Sequence, residues 1–419
     1  MSDASHDKPS GLAAYITVTV AYWAFMLTDG ALRMLVLLHF HTLGFSAVQL
    51  AYLFLLYELM GVVTNLSAGW IAARFGLTST LYAGLAIQIA ALVALAQLNP
   101  AWSLTASVLF VMCVQGLSGI AKDLSKMSAK SAVKLLAPKG NGGLFRWVAI
   151  LTGSKNAVKG FGFLLGAVLL ATAGFQTAIW AMAAVLAVIL IGSMIFMPSG
   201  LPQGKKSAKF SQVWSKDRNI NRLSLARMFL FGARDVWFVV GIPIYFYAVL
   251  SDGSHAGNRA AFFTIGTFMA VWIILYGLVQ GLAPKILRAT DKSTAEISKS
   301  ATLWVAILTL IPAALAVAVA LDLPNLTPIL VTGLLVFGFV FAINSSVHSY
   351  LILAFTSDDR VTMDVGFYYM SNAAGRLLGT LLSGLSYQAG GLPLCLATAA
   401  LMASASTLAA RQLSSKAAQ

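Results

Sequence analysis

Asp29 and Arg33 stand four residues apart in a run that is otherwise free of charge until Glu58. On a helix that spacing puts both side chains on one face, acid first, the order that favours pairing. Lys155 and Lys159 repeat the spacing with two bases. Arg227 and Arg234 stand seven apart, also on one face, with Asp235 beside the second. Glu58 and Arg376 each sit alone in long apolar stretches. Bases outnumber acids: Arg33, Lys155, Lys159, Arg234 and Arg376 stand against Asp29, Glu58 and Asp235. A site lined by these residues attracts an anion, and arginine offers a planar fork that matches phosphate or carboxylate through two bonds. The three acids are candidates for proton coupling or charge pairing, since a carboxylate withdrawn from water can carry a proton.

These charges need long apolar elements to hold them. The chain has 419 residues, 59% hydrophobic and 10% charged, with a mean hydropathy of +0.83. A soluble domain carries about 25% charged residues. So much apolar surface cannot fit inside one soluble core and must face lipid. A membrane-crossing helix needs about 20 apolar residues. Twelve stretches qualify, at roughly 12–40, 47–73, 78–98, 101–122, 144–172, 175–197, 219–250, 259–284, 299–321, 326–353, 363–388 and 391–411. The first is read as an uncleaved helix after a polar start, because it is span-length and lacks a convincing cleavage site. A charge at a helix centre costs about 2.5–3.5 kcal/mol, so half a dozen facing lipid would cost on the order of 15 kcal/mol. They must face the bundle interior or a wet cavity. Lys155 and Lys159 lie roughly 16–22 Å from Leu144, too deep to snorkel easily.

The loops alternate. HTLGFSA, QLNPAW, AGFQTA, LDLPNL and QAGGLP carry no Lys or Arg, while most bases fall in the others. Lys205, Lys206, Lys209, Lys216, Arg218 and Arg222 cluster in and around one connection, and Lys285, Arg288 and Lys292 in another. This is the positive-inside pattern, and it places both termini in the cytoplasm. The reading is an all-α membrane protein: a six-helix half over 1–197, a cytoplasmic linker over 198–218 and a second six-helix half over 219–419. A β-barrel would need strands of about 10 residues in strict alternation, which are absent. The net charge of +14 belongs to the basic loops and gives no case for nucleic acid.

Lys122, Lys126, Lys130 and Lys134 repeat every four residues. With the fourth span ending near 122, they read as a solvated stripe at the cytoplasmic mouth, or as a funnel for an anion. Arg227, near the start of its span, reads as snorkelling to the interface. Gly162/Gly166, Gly277/Gly281 and Gly375/Gly379 have the spacing of close helix packing. AFMLTDGALR (24–33) faintly repeats in MFLFGARD (228–235), and SKNAVKGFGFLLG (154–166) in SNAAGRLLG (371–379). Cys113 and Cys395 read as buried thiols. His39, His41 and His348 have no clustered ligand spacing around them, so no metal is expected. No P-loop, HExxH or GxSxG occurs. No cofactor and no enzymatic activity are expected, and the chain reads as a monomer.

The two sets of six spans around a basic connection resemble the major facilitator superfamily. The superfamily's loop signature survives only partly, in GWIAARFGLTST (69–80), with Ala where an acid is usual. Several runs are similar to the ArsJ-type organoarsenical efflux permeases of that superfamily: TDGALRMLVLLHFH (28–41), YELMGVVTNLSAGW (57–70), SGIAKDLSKMSAKSAVKLLAP (118–138), WVAILTGSKNAVKGFGFLLG (147–166) and FLFGARDVWFVVGIP (229–243). The resemblance implies export of 1-arseno-3-phosphoglycerate across a bacterial inner membrane. It also implies a functional partnership with glyceraldehyde-3-phosphate dehydrogenase, which would make the ester from arsenate. Arg33, Lys155 and Lys159 would clamp one oxyanion end, and Arg234 and Arg376 the other. Organophosphate/phosphate exchange is the alternative that the same cavity would serve.

Overall fold

The computed structural model describes residues 8–136, 143–197, 214–288, 293–355 and 361–413. Most of the expected linker, with Lys205, Lys206 and Lys209, lies outside the described residues, as does Lys292. The backbone of Lys130 and Lys134 is described but their side chains are not.

The described chain is helical. The elements are α1 (Lys8–Thr42), α2 (Ala47–Phe75), α3 (Leu77–Leu95), α4 (Leu104–Leu136), α5 (Gly143–Ala173), α6 (Phe175–Phe196), α7 (Arg218–Val236), α8 (Ile242–Leu250), α9 (His255–Ile286), α10 (Thr294–Ala320), α11 (Leu326–Phe355) and α12 (Val361–Arg411). A π-helical turn, Trp237–Gly241, joins α7 to α8, so the two form one 33-residue apolar rod. Eleven helices among the described residues are long and apolar enough to cross a membrane. The last runs on for 51 residues but leaves helical geometry at Gly390 and Gly391, where φ is 63° at Gly391. Only glycine takes that backbone without strain, so the expected boundary between two stretches falls at this break.

Local signals explain the ends. Asp217 caps α7 by accepting from the Ile220 amide, and Ser293 with Glu296 forms a capping box on α10. Gly76 and Gly174, at φ 86° and 80°, make the tight joints into α3 and α6. One element corrects the sequence reading. The fourth span does not end near 122; α4 continues to Leu136, about four further turns.

Helix packing follows the small residues. A Cβ on Gly162 would overlap the Leu27 carbonyl, and one on Gly166 the Ala31 carbonyl, so α5 lies directly on α1. A Cβ on Gly375 would overlap the Met228 carbonyl, and one on Gly379 would lie 2.7 Å from the Gly232 carbonyl, so α12 lies on α7 in the same way. The faint repeat is thus carried by glycines: Gly30 with Gly162 and Gly166, Gly232 with Gly375 and Gly379. Gly281 corrects the expectation, for a Cβ there meets nothing within 4 Å.

Two large apolar cores result, one mainly from α1–α6 and one mainly from α7–α12. They exchange residues at one end of the bundle. Met34, Leu38, Phe163 and Ala167 join the second core, and Val239, Val240 and Ile244 join the first. This is the end at which α1, α5 and α8 finish. Near the start of α7, Ile220, Leu223, Ile297, Val347, Leu351 and Phe355 form a separate cluster that includes no residue of α1–α6.

Candidate functional site

Between the two cores lies a polar cavity of about 190 Å³. Eight of its lining residues are bases: Arg33, Lys122, Lys126, Lys155, Lys159, Arg227, Arg234 and Arg376. Asp123 is the one acid among the described lining residues. Tyr22, Asn65, Asn156, Tyr276, Gln280 and Asn372 supply neutral polar groups. The five expected binding residues, Arg33, Lys155, Lys159, Arg234 and Arg376, are all brought together here, from α1, α5, α7 and α12.

The expected acids stand behind this wall. Asp29, Glu58 and Asp235 are 3%, 0% and 0% exposed. Glu58 Oε1 accepts from Arg33 Nη2 at 2.5 Å and from Arg376 Nη2 at 2.6 Å. Its second oxygen has no partner. Asp235 takes Arg234 Nη2 at 2.5 Å and Arg376 Nε at 3.3 Å. Arg33, Glu58, Arg376, Asp235 and Arg234 therefore form a continuous charge chain. It runs from α1 and α2 to α12 and α7.

The expected pairing of Asp29 with Arg33 is not found. Asp29 instead accepts from Lys159 Nζ at 2.6 Å and from the Tyr57 hydroxyl at 2.5 Å. The short step between α1 and α5, enforced at Gly30 and Gly162, brings Lys159 to the acid. Arg33 turns to Glu58 and lies over the Phe54 and Tyr57 rings at 5.2 and 5.1 Å.

Two further readings are corrected. Lys122 is not on a solvated stripe: it is 7% exposed, and its Nζ stands 4.0 Å from the centre of the Tyr57 ring. Arg227 does not snorkel: it is 5% exposed, lies over Phe231 at 4.0 Å and lines the cavity. Lys126 reaches Asp123 Oδ1 at 2.5 Å and also bonds Asn65 Oδ1. His348 is fully buried. Cys395 is buried as expected, whereas Cys113 is exposed.

Sequence reasoning passed over Asp123, because it sits in a run assigned to the mouth. It also passed over the neutral groups. Asn65 Nδ2 donates to Asp123 Oδ2 at 3.1 Å, Asn156 Nδ2 to Gln280 Oε1 at 3.0 Å, and Gln280 Nε2 to Ser345 Oγ at 3.1 Å. No group of three metal-ligating side chains occurs among the described residues.

The arrangement can bind a small, multiply charged anion. Eight bases face a space that holds only a few small groups, Asp29, Glu58 and Asp235 are withdrawn from it, and Asp123 is the one described acid that lines it. Arginine forks suit oxyanions, and a cavity walled by protein strengthens each contact.

No protein-family profile and no curated protein match this chain. Solved structures do. A POT family transporter in complex with a thioalcohol-conjugated peptide aligns with a TM-score of 0.71 at 13% identity, over 94% of each chain. The nucleoside transporter NupG, in a mutant form, aligns at 0.69 and 16% identity, over 96% of this chain and 98% of that one. A POT family transporter in complex with 5-aminolevulinic acid aligns at 0.68 and 14% identity, over 95% and 94%. These proteins are transporters, not enzymes. The chain shares with them one helical membrane fold.

Proposed function

We propose that the chain is a secondary active efflux transporter for an organic arsenate or phosphate ester anion, 1-arseno-3-phosphoglycerate, and that it confers arsenate resistance by alternating access. The observation that carries this reading is the cavity itself: eight bases around about 190 Å³, between two helical cores. The ester has an oxyanion group at each end of a short carbon chain, which suits bases on opposite walls. Arg33, Lys155 and Lys159 face it from one side, Arg234 and Arg376 from the other. The fold supports transport in general. The resemblance of the sequence to organoarsenical permeases supports the ester, the bacterial inner membrane and the link to glyceraldehyde-3-phosphate dehydrogenase.

The topology belongs to the same reading. Twelve crossings, counted with a division at Gly390–Gly391, form two six-helix halves around the cytoplasmic linker, with both termini inside. On this topology the cores merge on the outer side, α2 keeps touching α12 near Ala373 and Gly366 towards the inner side, and the proposed cavity opens inward beside that contact. Rocking of the halves about the cavity alternates access. Of Asp29, Glu58 and Asp235, Glu58 keeps one oxygen without a partner among the described residues and is the preferred proton-coupling group.

Nothing about the bases distinguishes arsenic from phosphorus. Exchange of an organophosphate for phosphate is therefore the second reading. The deciding experiment expresses the chain in an arsenate-sensitive bacterium, with and without extra glyceraldehyde-3-phosphate dehydrogenase. A fall in cell arsenic only when both are present supports ester export. Unchanged arsenic in both strains, at good membrane expression, removes the arsenic assignment and leaves exchange first.

A further inference from the structure

The bases that line the cavity are not equivalent. Arg33, Lys126, Lys159, Arg234 and Arg376 each hold a carboxylate at 2.5 to 2.6 Å. Lys155 is engaged as well. Lys122 and Arg227 differ from all of these.

Lys122 makes no hydrogen bond or ion pair among the described residues; its Nζ lies 4.0 Å from the Tyr57 ring centre, and Asp123, Glu58 and Asp29 act on its charge from beyond contact distance. Arg227 is tied by neutral groups alone. Its Nε donates to Asn372 Oδ1 at 2.9 Å, and its Nη1 donates to the Ser345 carbonyl and hydroxyl, each at 3.0 Å. The ring of Phe231 lies under the guanidinium at 4.0 Å. Its Nη2 has no hydrogen-bond partner among the described residues, and Arg227 lines the cavity. Two bases thus sit more than nine-tenths buried without a carboxylate in contact. Arg227 has no carboxylate partner and Lys122 meets its acids only at longer range, so a bound anion would add compensation at both.

We propose that Arg227 and Lys122 are the primary contacts of the transported anion, and that the five acid-held bases shape the field without being its first ligands. This rests on the anion-carrier reading above and assigns its contacts. Arg227 has the properties of a built receptor: its fork is fixed in advance by Asn372 and Ser345, so little side-chain freedom is lost on binding. Lys122 comes from the opposite wall, on α4. Because Arg227 lies on α7 and Lys122 on α4, an anion between them joins the two cores. The class of ligand expected is a compact organic anion with phosphate-type charge, with groups to offer both walls, and inorganic phosphate is the comparison that tests the need for the organic part.

The test uses the purified full chain in detergent, with 3-phosphoglycerate as a stable probe and inorganic phosphate for comparison. Thermal stabilisation against ligand concentration gives Kd. Arg227→Lys and Lys122→Gln should each weaken 3-phosphoglycerate binding at least about tenfold, the loss of one charge-assisted contact. Lys285→Gln, on the exposed end of α9, should bind as the native chain does. If Arg227→Lys lowers the unliganded Tm, Asn372→Ala supplies the second reading: it keeps the base but unties its Nε, and should also weaken binding. Native-like affinity in both Arg227→Lys and Lys122→Gln overturns the proposal and leaves the anion-carrier reading standing. Absence of any 3-phosphoglycerate binding by the native chain overturns both.

Discussion

Arg376 Nη2 lies 2.6 Å from Glu58 Oε1, joining α12 to α2 across 318 positions of sequence. Arg33 meets the same oxygen from α1. One carboxylate oxygen thus ties both cores together at the cavity. Removing one member of a buried pair leaves an uncompensated charge and costs about 3–5 kcal/mol. Glu58→Gln should therefore lower Tm in detergent more than the double change Glu58→Gln with Arg376→Gln. If the two substitutions are strictly additive, the bond does not couple the cores.

Asp29 is held by Lys159 and by the Tyr57 hydroxyl. Tyr57→Phe removes one hydrogen bond to a charged group and should cost about 1.5–3 kcal/mol. Lys159→Met should cost more, and adding Asp29→Asn to it should restore part of the loss. Urea titration of the purified chain reads all three. An equal loss in Lys159→Met and the double variant would mean that Asp29 is not the partner that matters.

Gly162→Ala and Gly375→Ala place a methyl group against a carbonyl on the facing helix. Overpacking of this kind costs about 1–3 kcal/mol or more. Both variants should give less monodisperse protein on size-exclusion chromatography. Gly281→Ala meets open space and should behave as the native chain does. A normal profile for Gly375→Ala would contradict the packing of α12 on α7.

The end at which the cores merge is apolar, and Leu38 is buried there. With the exposed Cys113 replaced by Ala, a thiol at Ala373, which lines the cavity, should react with a membrane-impermeant reagent in inside-out vesicles and not in intact cells. A thiol at Leu38 should resist labelling from outside. Rapid labelling of Leu38→Cys in intact cells would place the opening on the other side.

The helices were legible because apolar length is written in every span. The deep bases and acids were legible because the cost of charge in lipid leaves only an inward position. Their partners were not. The i,i+4 rule selected Arg33 for Asp29, but it counts neighbours on one helix only. Gly30 and Gly162 bring α5 so close that Lys159 reaches the acid first. Lys122 and Arg227 were misplaced for a related reason: both were judged by distance from estimated span ends. α4 runs to Leu136, which moves Lys122 inward, and Arg227 is about 13 Å inside α7, counted from Arg218. Asn65, Asn372 and Gln280 carry no charge, so a search for buried ions does not mark them.

The carboxylates behind the cavity have a kinetic consequence. Under the proposed transport reading, idle cycling without cargo would dissipate the driving gradient. The empty cavity supplies its own counter-ions, and the Arg376–Glu58 bond joins the two sets of helices. Rocking of the halves without cargo would have to break that bond with nothing to replace it. An anion bound at Arg227 and Lys122 would bring a further negative charge beside the same arginine. Slippage is thereby discouraged by the same charge chain that waits for the substrate.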